Sequence, residues 1–131
     1  MKVGFTGTQF GMTVYQACHV EQLLRQLNAT RGIHGDCIGA DKMFDQICHN
    51  LGIEVEIFPP SNPSKRAFCK ADFLHPEDDY LARNRKIVDT SDVMIATPKS
   101  SEEELRSGTW ATVRYARKTG KKLYVINPES G

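Results

Sequence analysis

The chain has 131 residues, 40% of them hydrophobic, and a formal net charge of +1 at pH 7. This is the size and composition of one globular domain with a single core. The near-neutral charge argues against a dedicated duplex-binding protein, because such proteins usually present a strongly basic surface. No apolar run approaches the roughly 20 residues that span a bilayer, and no signal-peptide pattern follows Met1. We therefore expect a cytoplasmic protein without a membrane partner.

The four cysteines form no C-x-x-C pair, and the four histidines do not fall at zinc-finger spacing. Reduced thiols are expected, with no metal site and no cofactor. Cys37 lies in a glycine-rich turn beside a predicted helix start, where the pKa of a thiol can fall. A catalytic thiol at Cys37 is the less favoured interpretation, since a nucleophile needs a nearby base that the sequence does not show.

Hydrophobic periodicity predicts five strands and four helices. Short apolar runs predict strands at 2–6, 32–34, 53–58, 92–97 and 122–126. Helical spacing predicts helices at 14–27, 40–51, 78–90 and 110–118, the first with Thr13 as its N-cap. Strands alternating with helices predict a parallel sheet covered on both faces, an α/β three-layer sandwich. Right-handed crossovers favour a five-stranded sheet in the order 3-2-1-4-5, with a ligand crevice between the first and fourth strands.

The third predicted strand and the segment that follows it need separate interpretation. The third strand alternates Glu54 and Glu56 with apolar residues, which predicts a half-exposed strand at the sheet edge. Pro59 to Pro63 end this strand, and residues 62–77 show no period and form either a functional lid or a solvated loop. The cations of this segment that could meet a phosphate are Lys65, Arg66, Lys70 and His75.

Glycine-containing turns follow the first, second and fourth strands. They are Gly7-Thr8-Gln9, the turn from Gly35 to Asp41, and Ser107-Gly108-Thr109. The predicted topology places all three at one edge of the sheet, where backbone N–H groups at helix starts can cradle phosphates. None matches the P-loop motif or the G-x-G-x-x-G dinucleotide fingerprint.

Two further features lie close to these turns in the predicted fold. In the run Arg83-Asn84-Arg85-Lys86 on the third helix, positions 83 and 86 share one face and Arg85 points elsewhere. One arginine that reaches the crevice could bind a phosphate or carboxylate. A basic solvent-facing surface is the alternative. Trp110 follows the third turn and either stacks on a base or anchors the core.

Taken in order along residues 2–127, the motifs of this chain resemble the SLOG superfamily of Rossmann-like domains. That superfamily includes DprA-type and lonely-guy (LOG) proteins, and the likeness is greatest to its small bacterial and phage branch. The segments that carry it are Thr6-Gly7-Thr8-Gln9, the eight residues from His34 to Asp41, Phe58-Pro59, Arg83-Asn84-Arg85, Ser91-Asp92-Val93, Ser107-Gly108-Thr109, and Ala116 with Gly120-Lys121. The resemblance implies binding of a nucleotide or nucleotide-derived ligand, and dimers or higher homo-oligomers.

Several positions depart from the LOG pattern. Thr112 stands where LOG phosphoribohydrolases carry a glutamate that assists glycosidic cleavage, and Arg106-Ser107 replaces a glycine pair. The R-K pair corresponds to Arg85-Lys86. Weak catalytic candidates are Asp36, Asp41 and Arg85, and a glutamate from 102–104 is a further substitute for the missing carboxylate.

Together, the residues and the resemblance predict one set of ligand-binding residues. They are Gly7, Thr8, Gln9, Gly35, Asp36, Gly39, Ala40, Asp41, Arg83, Asn84, Arg85, Pro98, Ser107, Gly108, Thr109 and Trp110. The favoured function is a binding module for a nucleotide-derived small molecule, acting as sensor, carrier or sequestering protein. The alternative is a nucleoside-monophosphate N-glycosidase or phosphoribohydrolase. A DprA-like role on single-stranded DNA is least favoured, because the sequence has no row of stacking aromatics, so nucleic acid is not the expected partner.

Overall fold

Every strand of the sheet runs parallel to its neighbours. The structure is a computed structural model and describes residues 1–104 and 107–129. The strands are β1 (Lys2–Gly7), β2 (Arg31–His34), β3 (Glu54–Ile57), β4 (Phe73–Leu74), β5 (Val93–Thr97) and β6 (Lys122–Val125). The helices are α1 (Val14–Gln26), α2 (Ala40–Asn50), α3 (Tyr80–Thr90) and α4 (Gly108–Lys118).

The sheet has six strands in the order β4-β3-β2-β1-β5-β6, so the prediction of five strands is wrong. The additional strand, β4, has two residues with exposed side chains, which is too short to show a sequence period. It forms because the outer edge of β3 offers unpaired backbone groups. The carboxylate of Asp72 accepts a hydrogen bond from Val55 N (2.8 Å), and Asp72 N donates to Val55 O (2.9 Å). The other strands follow the predicted order.

Because β4 covers β3, the predicted edge strand is an interior strand. Glu56, expected to face solvent, is 5% exposed. Its carboxylate oxygens lie 3.3 Å from Arg31 Nη1 and 2.7 Å from His75 Nε2, so the buried charge is paired on both sides.

Helices cover both faces of the sheet, as predicted. On one face α1 and α2 pack on β1 and β3, with Phe5 and Phe44 stacked at 4.4 Å between ring centroids. On the other face α3 and α4 pack on β2 and β5. Thr13 is the N-cap of α1, as predicted, and its hydroxyl accepts a hydrogen bond from Gln16 N. No helix in residues 1–104 and 107–129 has the length and apolar character of a membrane span.

Gln16 fastens the start of α1 to the ends of two strands. Its Nε2 donates to Pro98 O (2.8 Å) and to Ile126 O (2.9 Å), and its Oε1 accepts a hydrogen bond from Thr13 N (3.0 Å). The side chain is 1% exposed, so no water can replace these bonds. Pro98, predicted to bind ligand, therefore directs its carbonyl at α1.

We expect Gln16→Leu to lower the free energy of unfolding by about 2–4 kcal/mol, because buried backbone groups lose their partners. Urea denaturation followed by circular dichroism measures the change. Gln46→Leu, on the exposed side of α2, is the matched control and should stay within about 0.5 kcal/mol of the parent. Equal effects of the two substitutions would contradict the clamping role of Gln16.

Candidate functional site

A cavity of about 550 Å³ opens at the carboxyl edge of the sheet, where the strand order reverses between β1 and β5. All three glycine turns contribute to its wall, through Gly7, Gly35 and Gly108. Its volume lies in the range of small-molecule sites, and its position is the usual ligand position in open α/β sheets. The structure therefore brings together three segments that are distant in the chain.

Close packing accounts for the glycine in each turn. A Cβ at residue 7 would lie 2.5 Å from both the Cβ of Ala40 and the Oγ1 of Thr97. A Cβ at Gly35 would collide with the guanidinium of Arg83, and one at Gly108 with the hydroxyl of Tyr80. The central turn has a positive φ at Gly39 (φ 89°), a conformation that glycine adopts without strain.

Most of the predicted ligand-binding residues line the cavity. They are Gly7, Thr8, Gln9, Gly35, Asp41, Arg83, Asn84, Ser107, Gly108, Thr109 and Trp110. The others lie outside its lining: Asp36, Gly39, Ala40, Arg85 and Pro98. Ala40 is fully buried against the core, and its N–H donates to Thr8 O (3.0 Å). Gly39 packs directly on the backbone of Gln9.

Asp36 holds the wall of the cavity in place. Its carboxylate is fully buried and accepts hydrogen bonds from Arg66 Nε and Cys69 N, both at 2.8 Å. Its backbone oxygen accepts a third from Ala67 N (2.7 Å). Because these bonds occupy both carboxylate oxygens, Asp36 fastens the segment that follows β3 to the central turn.

The segment after β3 forms one wall of the cavity with Pro60, Ser61, Asn62 and Lys65. Of its cations, Lys65 lines the cavity, whereas Arg66 pairs with Asp36. His75 is stacked on Phe58 at 3.9 Å. Phe68 is 64% exposed with a left-handed backbone (φ 58°), and the guanidinium carbon of Arg66 lies 4.7 Å from its ring centroid.

Arg83 braces the floor of the cavity and is 2% exposed. Its Nη1 donates to Gly35 O (2.5 Å), and its Nη2 donates to the sulfur of Cys37 (3.3 Å). Its guanidinium carbon lies 4.9 Å from the ring centroid of Tyr80. Within the described part of the chain its Nε has no hydrogen-bond partner, which leaves a buried donor at the cavity floor.

Asp41 and Cys37 are the titratable acids of the central turn that line the cavity. Burial raises the pKa of the Asp41 carboxyl, although the nearby Arg83 guanidinium and the N–H groups of Cys37 and Gly35 oppose the shift. Burial, and secondly the charge of Asp41, raise the pKa of the Cys37 thiol. Cys37 is therefore a neutral thiol in a site that does not activate it.

The cavity residues that the sequence prediction missed include Phe10, Tyr80 and Lys99. The amine of Lys99 lies 5.3 Å from the ring centroid of Phe10 and 4.0 Å from the Glu104 carboxylate. Tyr80 is the first residue of α3. Its place three residues before Arg83 puts both on one face of the helix, and this spacing was the signal available in the sequence.

Trp110 has the core position predicted for it, and stacking on a base stays a prediction. It is 5% exposed and packs with Ala96 and Val113, so it anchors the core, and one part of it lines the cavity. Arg106, part of the departure from the LOG glycine pair, lies outside the described residues.

Solved structures share this architecture, whereas no protein-family model and no curated protein matches the chain. The molybdenum cofactor binding protein of the phototrophic bacterium Rippkaea orientalis is 23% identical with a TM-score of 0.75, covering 98% of this chain and 77% of its own. The structural-genomics target TM1055 is 16% identical with a TM-score of 0.67, and the match covers 93% of this chain and 71% of TM1055. DNA processing protein A of Helicobacter pylori is 24% identical with a TM-score of 0.69, and its structure is described with a single-stranded DNA binding mode. The match covers 100% of this chain and 67% of that protein.

The chain shares the fold of these solved structures, which is Rossmann-like and similar to that of DNA processing protein A. At the level of the fold this agrees with the resemblance inferred from the motifs. Because a fold does not determine a ligand, only the residues of this chain's own cavity bear on what it binds.

Thr112, at the position of the glutamate in the LOG pattern, cannot take over the role of a carboxylate. It is 2% exposed, and its hydroxyl donates to Gly108 O (3.0 Å) within α4. The carboxylates that line the cavity are those of Asp41 and Glu104.

His34, Asp45 and Cys69 form a group with the spacing of metal ligands, since their donor atoms lie within 4.8 Å of one another. Asp36 N donates to His34 Nδ1 (2.9 Å), so the proton of this neutral ring is on Nε2, which donates to Asp45 Oδ1 (2.9 Å). A ring nitrogen that donates a hydrogen bond does not ligate a metal. Burial raises the pKa of the Cys69 thiol to about 12. The group fits a hydrogen-bonded core cluster better than a metal site.

The raised pKa of Asp41 gives a prediction for stability against pH. A carboxyl whose pKa is higher in the folded than in the unfolded chain binds more protons when folded. Its contribution to stability therefore falls as the pH rises above the ordinary value of 3.8. We expect the unfolding free energy of Asp41→Asn, relative to the parent, to increase from pH 3.5 to pH 7 in urea titrations. A constant or decreasing difference would contradict the raised pKa.

Proposed function

We propose that the protein binds a nucleotide or a nucleotide-derived small molecule in the cavity at the carboxyl edge of its sheet. The convergence of the three glycine turns on one cavity, with cationic side chains in its lining, carries this proposal. Lys65 and Lys99 supply amines on two different segments, and Arg83 supplies a buried guanidinium. This is a site for an anionic ligand of limited size.

The start of α4 is the best placed group for a phosphate. The first N–H groups of a helix have no acceptor within it and carry a partial positive charge. The Ser107 hydroxyl accepts the N–H of Trp110 at 3.3 Å. Gly108 and Thr109, which precede Trp110, line the cavity, and we expect their N–H groups to donate to a ligand oxygen.

The rest of the cavity suits a nucleoside. Phe10, Tyr80 and Trp110 supply aromatic surface for a base. The Asp41 carboxyl is 6% exposed at the cavity wall, where it can accept a hydrogen bond from a sugar hydroxyl or an amino group.

The ligands named for proteins of this fold support a binding role and widen the candidates. One of these proteins binds molybdenum cofactor and another binds single-stranded DNA. The expectation that nucleic acid is not a partner is therefore not supported, and single-stranded DNA belongs in the test. Self-association and a cytoplasmic location stay predictions from the sequence.

Isothermal titration calorimetry tests the proposal with AMP, ADP and ADP-ribose, and with uncharged adenosine as the reference. We expect the phosphorylated compounds to bind and adenosine to bind at least about tenfold more weakly. Lys65→Gln should weaken AMP binding by about three- to tenfold, because one cation at the cavity is lost.

Lys2→Gln is the matched control, since Lys2 begins β1 at the opposite edge of the sheet. It should leave AMP binding unchanged. Absence of binding to every phosphorylated compound and to a single-stranded oligonucleotide, with folded protein, would overturn the proposed function.

The alternative function is N-glycosidic cleavage of a nucleoside monophosphate. One observation favours it: the Asp41 carboxyl lines the cavity and its raised pKa suits a proton donor. Incubation with AMP, followed by chromatography for free adenine, tests this activity. Release of adenine that Asp41→Asn reduces by about a hundredfold or more would establish it. If AMP binds to the protein but is not cleaved, the result supports the binding role and not the cleavage activity.

A further inference from the structure

A second, shallower groove of about 270 Å³ runs along the seam between α3 and α4. One side is formed by Leu81, Asn84 and Arg85 of α3, and the other includes Tyr115 and Lys118 of α4. Asn84 lines both this groove and the large cavity. The groove therefore begins at the cavity wall and extends along the two helices.

The groove is basic. Within residues 1–104 and 107–129, no ion pair joins Arg85 or Lys118 to a carboxylate. The guanidinium carbon of Arg85 lies 5.5 Å from the ring centroid of Tyr115. Arg114 also lines the groove and pairs with Glu103 at 3.0 Å. The carboxylate of Asp89 accepts a hydrogen bond from the Tyr115 hydroxyl (2.8 Å). The groove thus presents cations beside an aromatic ring.

A narrow partition separates the groove from the cavity. The Tyr80 hydroxyl packs against Gly108 and is hydrogen-bonded to the side chain of Asn84. Both residues lie at the first turns of α3, beside the start of α4. A ligand held at the start of α4 therefore lies next to the entrance of the basic groove.

We propose that the α3–α4 groove binds a second anionic group of the ligand held in the cavity, through Arg85 and Lys118. The ligand class is an elongated nucleotide with two separated phosphates, such as a 5′-phosphorylated dinucleotide. This inference rests on the proposed function of the cavity. It gives Arg85 a binding role outside the cavity lining, where an arginine on aromatic surface can contact a phosphate bidentately.

Calorimetry with two probes tests the inference, AMP for the cavity alone and pApA for cavity and groove together. We expect pApA to bind about tenfold more tightly than AMP, because two further charged contacts form. In the double variant Arg85→Gln/Lys118→Gln this advantage should disappear while AMP affinity stays unchanged. The double variant Arg25→Gln/Lys2→Gln removes the same charges elsewhere and should retain it. Circular dichroism confirms that both variants fold.

Other outcomes separate the groove from the cavity. If AMP binds and pApA binds no more tightly, the groove assignment is wrong and the proposed function stands. Equal weakening of AMP and pApA by the groove variant would also overturn the assignment. If eight-nucleotide single-stranded DNA binds far more tightly than pApA, the occupant is a nucleic-acid strand, and the dinucleotide proposal is wrong. If neither AMP nor pApA binds, both the proposed function and this inference fail.

Discussion

The cavity depends on one point of very close packing, at Gly7. The end of β1, the start of α2 and the end of β5 meet there, and a single methyl group would push them apart. Backbone hydrogen bonds complete the junction, since Thr8 N donates to Thr97 O (3.1 Å) and Thr8 O accepts from Ala40 N (3.0 Å). The turns that surround the cavity are thus positioned by main-chain contacts at the end of the central strands.

Periodicity in the sequence was sufficient for most of the architecture. Strands such as β5 are fully buried and read as continuous apolar runs, and α2 shows its apolar face plainly. The convergence of the turns followed from parallel strand direction alone. By contrast, β4 exists only because the edge of β3 is available to it. A two-residue strand has no local signal, and the burial of Glu56 could not be foreseen without it.

Side-chain direction limited the prediction of the site more than topology did. Asp36 lies in the central turn, but its carboxylate is taken by Arg66, thirty positions further along the chain. Arg83 and Arg85 are two residues apart on α3, so their side chains point roughly 200° apart around the helix. One braces the cavity floor and the other lies over Tyr115 in the neighbouring groove. Which partner captures a charge depends on distant segments, and local spacing carries no information about that.

Phe68 shows how the wall of the cavity is maintained. Its left-handed backbone costs on the order of 1 kcal/mol for a residue with a Cβ, and its ring is largely in water. The ring nevertheless lies against the guanidinium of Arg66, on whose Nε the Asp36 carboxylate depends. This cation–π contact favours the guanidinium position from which Arg66 donates to Asp36. An aromatic side chain on the outer surface thereby supports the wall of the cavity without lining it.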